Sequence, residues 1–381
     1  MNSKPEKFLL FTLEYPPFKG GISQYYQNLV EYWPSNNLFV LVDSALGGKD
    51  TEKIIYRPLL NKFIRPRWLA AVFYLYKKIS SFKSPVSNLN IIVGQILPLG
   101  IATYCLSKFL KFKYSVVLHG LDFSLAVKTK SKQKITRKIL NRADKIICAN
   151  NYTANLVKFF NNNLAAKIFI VNPGIEPSFV RNPQKVAELK KKHNLINKTV
   201  LFSLGRLVLR KGIDKVIEAV AIVDKTAPQI VYAIAGTGPE KENLKKLAEA
   251  LPEALKNKIL FLGQISDSDR WAWFELCDIF VMASRNIAGD FEGFGTVYLE
   301  ANLAGKPVIA GDSGGVRDAV IDNINGLIVN PEKSESIARA IIKLSADVKL
   351  RQALGDQGKR RAVENFSAKK QAGKFYNSLK N

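Results

Sequence analysis

Residues 292–310, EGFGTVYLEANLAGKPVIA, carry the densest chemistry in the chain. Glu292 and Glu300 stand around a Gly293-Phe294-Gly295 turn, and the pattern after it predicts a helix opening at about Thr296. Free N–H groups at a helix start bind phosphate, and glycines let a ligand come close to the backbone. A carboxylate in the turn and another about one turn into the helix would accept hydrogen bonds from hydroxyls on either side of that phosphate. A nucleotide sugar has this layout, with sugar hydroxyls beyond the diphosphate and ribose hydroxyls before it. A glycine-rich turn with two solvated glutamates would read the same.

The next candidates are cationic. In LGRLVLRKG (204–212), Arg206 and Lys211 flank a loop between a strand and a helix. Their charges can converge on a diphosphate and stabilise it as it leaves. Gly20 and Gly21 follow the first strand and open a helix, the usual anion site of such folds. Their spacing is not GxGxxG, so the dinucleotide fingerprint is missing. AGTGPE (235–240) also lacks the third glycine and reads as a tight turn, whether beside a nucleotide or purely structural.

His119 ends the strand in SVVLHGLD (115–122), where it can hydrogen-bond a sugar hydroxyl, polarise a reacting group, or simply pack. His193, in KKKHNL, reads as a solvated helix residue. No close pair of histidines exists, and Asp267 and Asp269 precede a helical pattern where aspartates cap free N–H groups. No metal site is expected, and no cofactor.

The elements that must position these residues repeat as strand, loop and helix, twice over. Apolar runs at 7–13, 38–42, 90–93, 114–118, 145–149 and 167–171 alternate with helical patterns, as a buried parallel sheet requires. The segment VNPGIEPSFV (171–180) interrupts the rhythm and marks a linker. A second series follows at 199–205, 230–235, 259–262, 279–283, 307–310 and 327–329. Two doubly wound α/β domains are expected, 1–172 and 173–365, with ligands at the carboxyl ends of the sheets. A basic amphipathic helix at about 366–381 ends the chain and would pack back on the first domain.

Charge narrows the partners. The chain has 381 residues, with Lys+Arg 57 against Asp+Glu 32, a net charge of +25. Residues 1–172 carry 25 basic and 8 acidic side chains, net +17; the remainder carries 32 and 24, net +8. Such a field favours polyanions, whether nucleic acid, anionic lipid or phosphorylated substrate. RPRWLAAVFYLYKK (65–78) has basic ends, Arg65, Arg67, Lys77 and Lys78, around an aromatic middle that includes Trp68, like an interfacial helix or a core helix with snorkelling ends. Lys134, Lys138 and Arg142 recur at helical spacing, a stripe suited to anionic lipid or to water. The basic residues are not interleaved with a stacking surface or a named motif, which argues against nucleic acid. Cys105, Cys148 and Cys277 are scattered without a CxxC pair, which predicts a reducing compartment and no disulfide framework. The opening MNSKPEKFLLFTLEYPPF reads as a first strand, not a signal peptide, and a cytoplasmic protein lying on the inner membrane face is expected.

YPPFKGGI, LHG, NPGIE, GRLVLRKG and EGFGTVYLEA, in this order and spacing, resemble glycosyltransferase family four, retaining enzymes of the GT-B fold, nearest the bacterial phosphatidylinositol mannosyltransferases. The resemblance implies two tandem Rossmann-like domains with parallel sheets and an interdomain cleft. It implies metal-independent transfer of a hexose, with GDP-mannose leading and UDP-sugars close behind, to a lipid-linked or glycan acceptor. It places Gly20 and Gly21 beside the donor phosphate and the acceptor, and assigns the transferred sugar to His119 and the diphosphate to Arg206 and Lys211. Glu292 would hold sugar hydroxyls, with Gly293, Phe294 and Gly295 offering backbone amides at that turn, and Glu300 would clasp the ribose. The base would pack near Gly263 and Ile265. A dinucleotide oxidoreductase is the rival enzyme class, disfavoured by the missing fingerprint.

Overall fold

The computed structural model describes residues 6–61, 63–82, 85–227 and 229–380, so the first five residues of the expected first domain and the last of the expected C-terminal helix lie outside the described residues. The chain divides into two compact units, one of residues 1–174 with 368–381, the other of residues 175–367.

In chain order the first unit holds β1 (Lys7–Thr12), α1 (Gly21–Glu31), β2 (Leu38–Asp43), β3 (Ile54–Arg57), α2 (Leu69–Ser80), β4 (Leu89–Val93), α3 (Leu99–Ser107), β5 (Lys113–Leu118), α4 (Leu121–Ala126), α5 (Lys130–Arg142), β6 (Lys145–Cys148), α6 (Asn151–Phe160) and β7 (Ile168–Ile170). Its sheet runs β3-β2-β1-β4-β5-β6-β7, all parallel. Period-two alternation buries both faces. Leu9, Phe11, Ile91, Val93 and Val116 pack with Leu75, Leu99 and Ile139 of the helices on one side. Phe8, Leu10, Ile92 and Val117 pack with Tyr26 and Trp33 on the other.

The second unit holds α7 (Pro183–Lys192), β8 (Thr199–Leu204), α8 (Ile213–Val223), β9 (Ile230–Ala235), α9 (Lys241–Glu249), α10 (Glu253–Lys256), β10 (Ile259–Gly263), α11 (Asp267–Leu276), β11 (Ile279–Met282), α12 (Thr296–Leu303), β12 (Val308–Gly311), α13 (Val316–Ala319), β13 (Gly326–Val329), α14 (Ser334–Ala346) and α15 (Val348–Phe366). Its sheet runs β10-β9-β8-β11-β12-β13, again parallel. In each sheet the strand order reverses direction beside the first strand of the unit, at β1/β4 and at β8/β11. These are the switch points outside which doubly wound sheets hold ligands.

The last helix, α16 (Ala368–Lys380), belongs to the first unit and lies against α1. Phe375 is wholly buried there, its ring 6.5 Å from Tyr25 and 6.2 Å from Trp33. Truncating a buried aromatic of this kind costs about 3–5 kcal/mol, so this short helix is tied down rather than appended.

Candidate active site

In the second unit, three segments beyond the strand ends meet around Glu292. The turn after β8 brings Arg210 and Lys211, β11 delivers Ser284, and the loop after β12 closes on the main chain of Glu292. There Gly315 N–H donates to Glu292 O at 2.9 Å. Gly314, at φ +53°, lies so close that a Cβ would stand 2.3 Å from that carbonyl, so only glycine fits. Lys211 Nζ reaches Glu292 Oε2 at 2.6 Å, Arg210 at 3.0 Å and Ser284 Oγ at 3.1 Å. All three donors meet on Oε2. Among the described residues none donates to Oε1.

Burial alone would raise the Glu292 carboxyl. The charges of Lys211 and Arg210, with the hydrogen bonds from Lys211 and Ser284, override it and hold the group below its ordinary value. Glu292 is therefore an ionised carboxylate, immobilised through one oxygen and free to accept at the other. Arg210 also pairs with Asp290 at 3.2 Å, and Arg285 with Asp214 at 2.8 Å, which fastens the loop 284–291 to the β8–α8 turn. Arg206 is exposed and makes no ion pair among the described residues.

Helix α12 starts at Thr296, where the sequence placed it, after Gly295 at φ +81°. A Cβ there would meet the Tyr298 ring at 2.4 Å, so glycine is required for the chain to enter the helix. Phe294 turns its ring into the core against Phe366, and Gly293 lies half-buried in the turn. Glu300 accepts from Arg270 at 3.3 Å; burial raises its carboxyl and Arg270 opposes this. Gly263, at φ +68°, has open space where a Cβ would be, and Ile265 is partly buried beside it. Ser266, not an aspartate, caps α11, accepting from Asp269 N–H at 3.1 Å. Asp269 pairs with Lys185 at 3.2 Å. His193 packs 5.5 Å from the Trp273 ring, half-buried rather than solvated.

In the first unit the segments after β1, β4 and β5 meet. Leu13 N–H donates to Gln95 Oε1 at 2.8 Å, joining the first two. Tyr26, from α1, stands 2.6 Å from Gly94 O and 2.9 Å from His119 Nε2. Asp122 Oδ1 accepts the main-chain N–H of His119 and of Gly120, both at 2.9 Å, and Gly120 takes φ +114°. Burial drops His119 to about 3 and lifts Asp122 to about 6 despite those amide bonds. Glu14 is also raised, by burial and then by Asp122. Gly20 is extended and caps α1, and Gly21 begins the helix with nothing near its missing Cβ.

The basic surface lies on the same unit. Helix α2 starts at Leu69, with Trp68 as its N-cap, so Arg65 and Arg67 precede it; Arg65, before Pro66, is in any case disfavoured in helical geometry. Arg65 and Arg67 are exposed in the preceding loop with Phe63 (97% exposed), and Trp68 is half-buried. Phe73 (59%) and Tyr76 (51%) face solvent beside Lys77. Lys78 instead lies over the rings of Phe39 and Phe82, at 5.1 and 5.0 Å. Lys134, Lys138 and Arg142 all stand on the exposed face of α5, but Arg142 donates Nε to Ser107 Oγ at 2.7 Å. Among the described residues no helix is long and apolar enough to cross a membrane.

Sequence reasoning missed Arg210, Ser284, Tyr26, Asp122 and Glu14. Arg210 is adjacent to Lys211 and signalled itself only as one more basic residue; Asp122 lies three residues past His119 in the same turn, and the others are brought in by the strand order.

A pair of parallel α/β units with these strand orders is the GT-B glycosyltransferase fold. HepE of Anabaena, crystallised with UDP and glucose, matches at a TM-score of 0.79 and 19% identity, over 99% of this chain and 100% of that one. The model described as Glycosyltransferase Family 4 matches residues 19–179, and that described as Glycosyl transferases group 1 matches 185–361. The chain belongs to glycosyltransferase family four. It is 27% identical to the GDP-mannose-dependent alpha-(1-6)-phosphatidylinositol monomannoside mannosyltransferase of Mycolicibacterium smegmatis, over 94% of each chain. It is 30% identical to an uncharacterized glycosyltransferase of Methanocaldococcus jannaschii, over 68% of this chain and 67% of that one.

Proposed function

We propose that this glycosyltransferase moves a hexose, with GDP-mannose the leading donor, to a lipid-linked or glycan acceptor, with retention and without a metal. The observation that carries the reading is Glu292, ionised, held through Oε2 by Lys211, Arg210 and Ser284, and open at Oε1. A carboxylate in that state suits the hydroxyls of a sugar. The amides opening α12 suit the diphosphate, Arg206 and Lys211 its developing charge, Glu300 the ribose, and Gly263 and Ile265 the base. The family likeness gives Gly20 and Gly21 the donor phosphate and His119 the transferred sugar.

In this mechanism the bond from the anomeric carbon to the diphosphate oxygen breaks, and the acceptor oxygen bonds to that carbon from the same face. The hydroxyl proton passes to a donor phosphate oxygen. No enzymic nucleophile is needed, in contrast to paired-carboxylate glycosidases. GDP-mannose is favoured by the likeness to the mycobacterial mannosyltransferase; a UDP-hexose is the second reading, favoured by the likeness to HepE.

The acceptor reading rests on the net +17 of residues 1–172 and on the exposed Phe63, Phe73 and Tyr76 among Arg65, Arg67 and Lys77, which suit an anionic bilayer at the cytoplasmic face. Thermal stabilisation by GDP, UDP, ADP and their sugars, followed by transfer assays with the stabilising donor, tests the proposal. Stabilisation by GDP and GDP-mannose is expected. A shift confined to another nucleotide replaces the donor, and no shift with any of them removes the site.

A further inference from the structure

The Tyr26 hydroxyl has two neighbours and one proton. Gly94 O, at 2.6 Å, is a carbonyl and can only accept; His119 Nε2, at 2.9 Å, can donate or accept depending on its tautomer. Gly94 O therefore takes the phenolic proton, and the hydroxyl oxygen presents lone pairs to the imidazole. Nε2 must carry hydrogen for the 2.9 Å contact to be a bond. Both Tyr25 and Tyr26 set their rings edge-on to the imidazole, with centroids 5.1 and 5.4 Å away, so the ring has little freedom to turn over. Tyr26 is wholly buried, and burial keeps its hydroxyl protonated.

Among the described residues no side chain donates a second proton to the ring. Asp122 spends Oδ1 on the main-chain amides of His119 and Gly120. The titratable groups that interact with Tyr26 are Tyr25, Asp122 and Glu14, none of them a cation. Burial of the imidazole opposes its charged form. The ring is thus a neutral imidazole with hydrogen on Nε2 and a bare lone pair on Nδ1, to which no described residue donates.

We propose that Tyr26 is a positioning residue that fixes His119 as the Nε2–H tautomer, so that Nδ1 accepts a hydrogen bond from a hydroxyl of the transferred sugar. The second half rests on the reading of His119 as a sugar contact; the first does not. The consequence is a sign: His119 selects ligands that offer an O–H at that point, and it neither donates a proton to the leaving diphosphate nor takes one permanently.

Histidine-ring 15N spectra of the full chain test this directly, because His119 and His193 are its only histidines and His193→Gln assigns the signals. The ligand-free protein should show Nε2 protonated and Nδ1 unprotonated for His119, as one tautomer, from pH 8 to pH 5. Hydrogen on Nδ1, an averaged pair of tautomers, or an imidazolium in that range overturns the proposal. Tyr26→Phe removes only the hydroxyl. It should average the two His119 tautomers and lower kcat roughly 5- to 10-fold, the worth of one neutral hydrogen bond, with the donor KM changed by less than about twofold. Unchanged ring signals or an unchanged kcat overturns it. Should Tyr26→Phe fail to fold, the wild-type spectra still decide the tautomer. Failure of the wild type to transfer a hexose from any nucleoside diphosphate sugar would remove the sugar contact, and would do so without touching the nitrogen signals.

Discussion

The two strand-end clusters hold their titratable groups in opposite ways. In the second unit a buried carboxylate, Glu292, is kept ionised because Lys211 and Arg210 stand beside it. In the first unit, burial without a cation drives every group towards its neutral form: His119 falls to about 3, Asp122 rises to about 6, and Glu14 and Tyr26 rise as well. The chain has a net charge of +25, yet among the described residues no cation acts on that second kind of cluster. What differs is therefore local pairing, not net charge. One site is built to meet charge with charge, the other to present uncharged hydrogen-bonding groups.

The contrast breaks most visibly at Glu292. Glu292→Ala should lower kcat by about 10³, the scale seen when a preorganised charge contact is lost. It should also destabilise the second unit by about 3–5 kcal/mol, since the buried Lys211 would be left without its counter-charge while Arg210 keeps Asp290. Steady-state kinetics and urea unfolding measure the two, and a variant turning over near the wild-type rate would end the assignment. Lys211→Ala should lower kcat about 10²-fold and leave stability less affected, because Arg210 still covers Glu292. A loss confined to KM would mean that Lys211 serves binding alone.

The clusters were unequally legible in the sequence. The strands of both sheets announce themselves because strands buried on both faces are near-continuous apolar runs. The edge strand β3, IIYR, was not foreseen, being four residues long and only half-buried. Glu292, Gly295 and the start of α12 could be read from a local motif. The partners on Oε2 could not, since Arg210 and Ser284 lie in other segments and meet only once β8 and β11 are neighbours. Tyr26 lies within α1, and nothing local marks its reach to Gly94 and His119. Asp122, two residues past His-Gly, reads as a helix-start acid, which it is, yet its raised carboxyl comes from tertiary burial.

The neutral cluster predicts a pH dependence with two opposed parts. The folded His119 stays unprotonated down to about 3, whereas the unfolded one takes a proton below its ordinary value of 6.5. Its contribution is thus fully present above 6.5 and is lost as pH falls through the window between 6.5 and 3. Asp122 acts the other way. Folded, it holds its proton up to about 6 against an ordinary 3.8, so its contribution is present below 3.8 and lost as pH rises towards 6. Between 4 and 6 the two nearly cancel in the wild type. His119→Asn removes one of them. From pH 6.5 to pH 5 that variant should gain about 1–2 kcal/mol on the wild type, measured by urea unfolding at each pH. Asp122→Asn, which keeps an oxygen for the His119 and Gly120 amides, should be stabilised by about 1–2 kcal/mol at pH 8 and not at pH 4. A flat difference in either case would mean that the cluster is charged after all.

The smallest effects belong to the surface lysines, and they test whether the positive charge outside both clusters has work to do. Lys134 and Lys138 stand exposed on α5 without a partner among the described ion pairs, so each can approach an anionic bilayer. A basic residue near such a surface contributes about 1 kcal/mol, so Lys134→Ala and Lys138→Ala should each weaken sedimentation with phosphatidylserine vesicles about fivefold at low salt. Arg142, on the same stripe, is bound to Ser107, and Lys78 is seated on Phe39 and Phe82. Arg142→Ala and Lys78→Ala should therefore alter vesicle binding by less than about twofold and appear instead as lost stability. Equal losses from all four variants would mean that the bilayer responds to net charge alone and that the seating of each side chain is irrelevant to it.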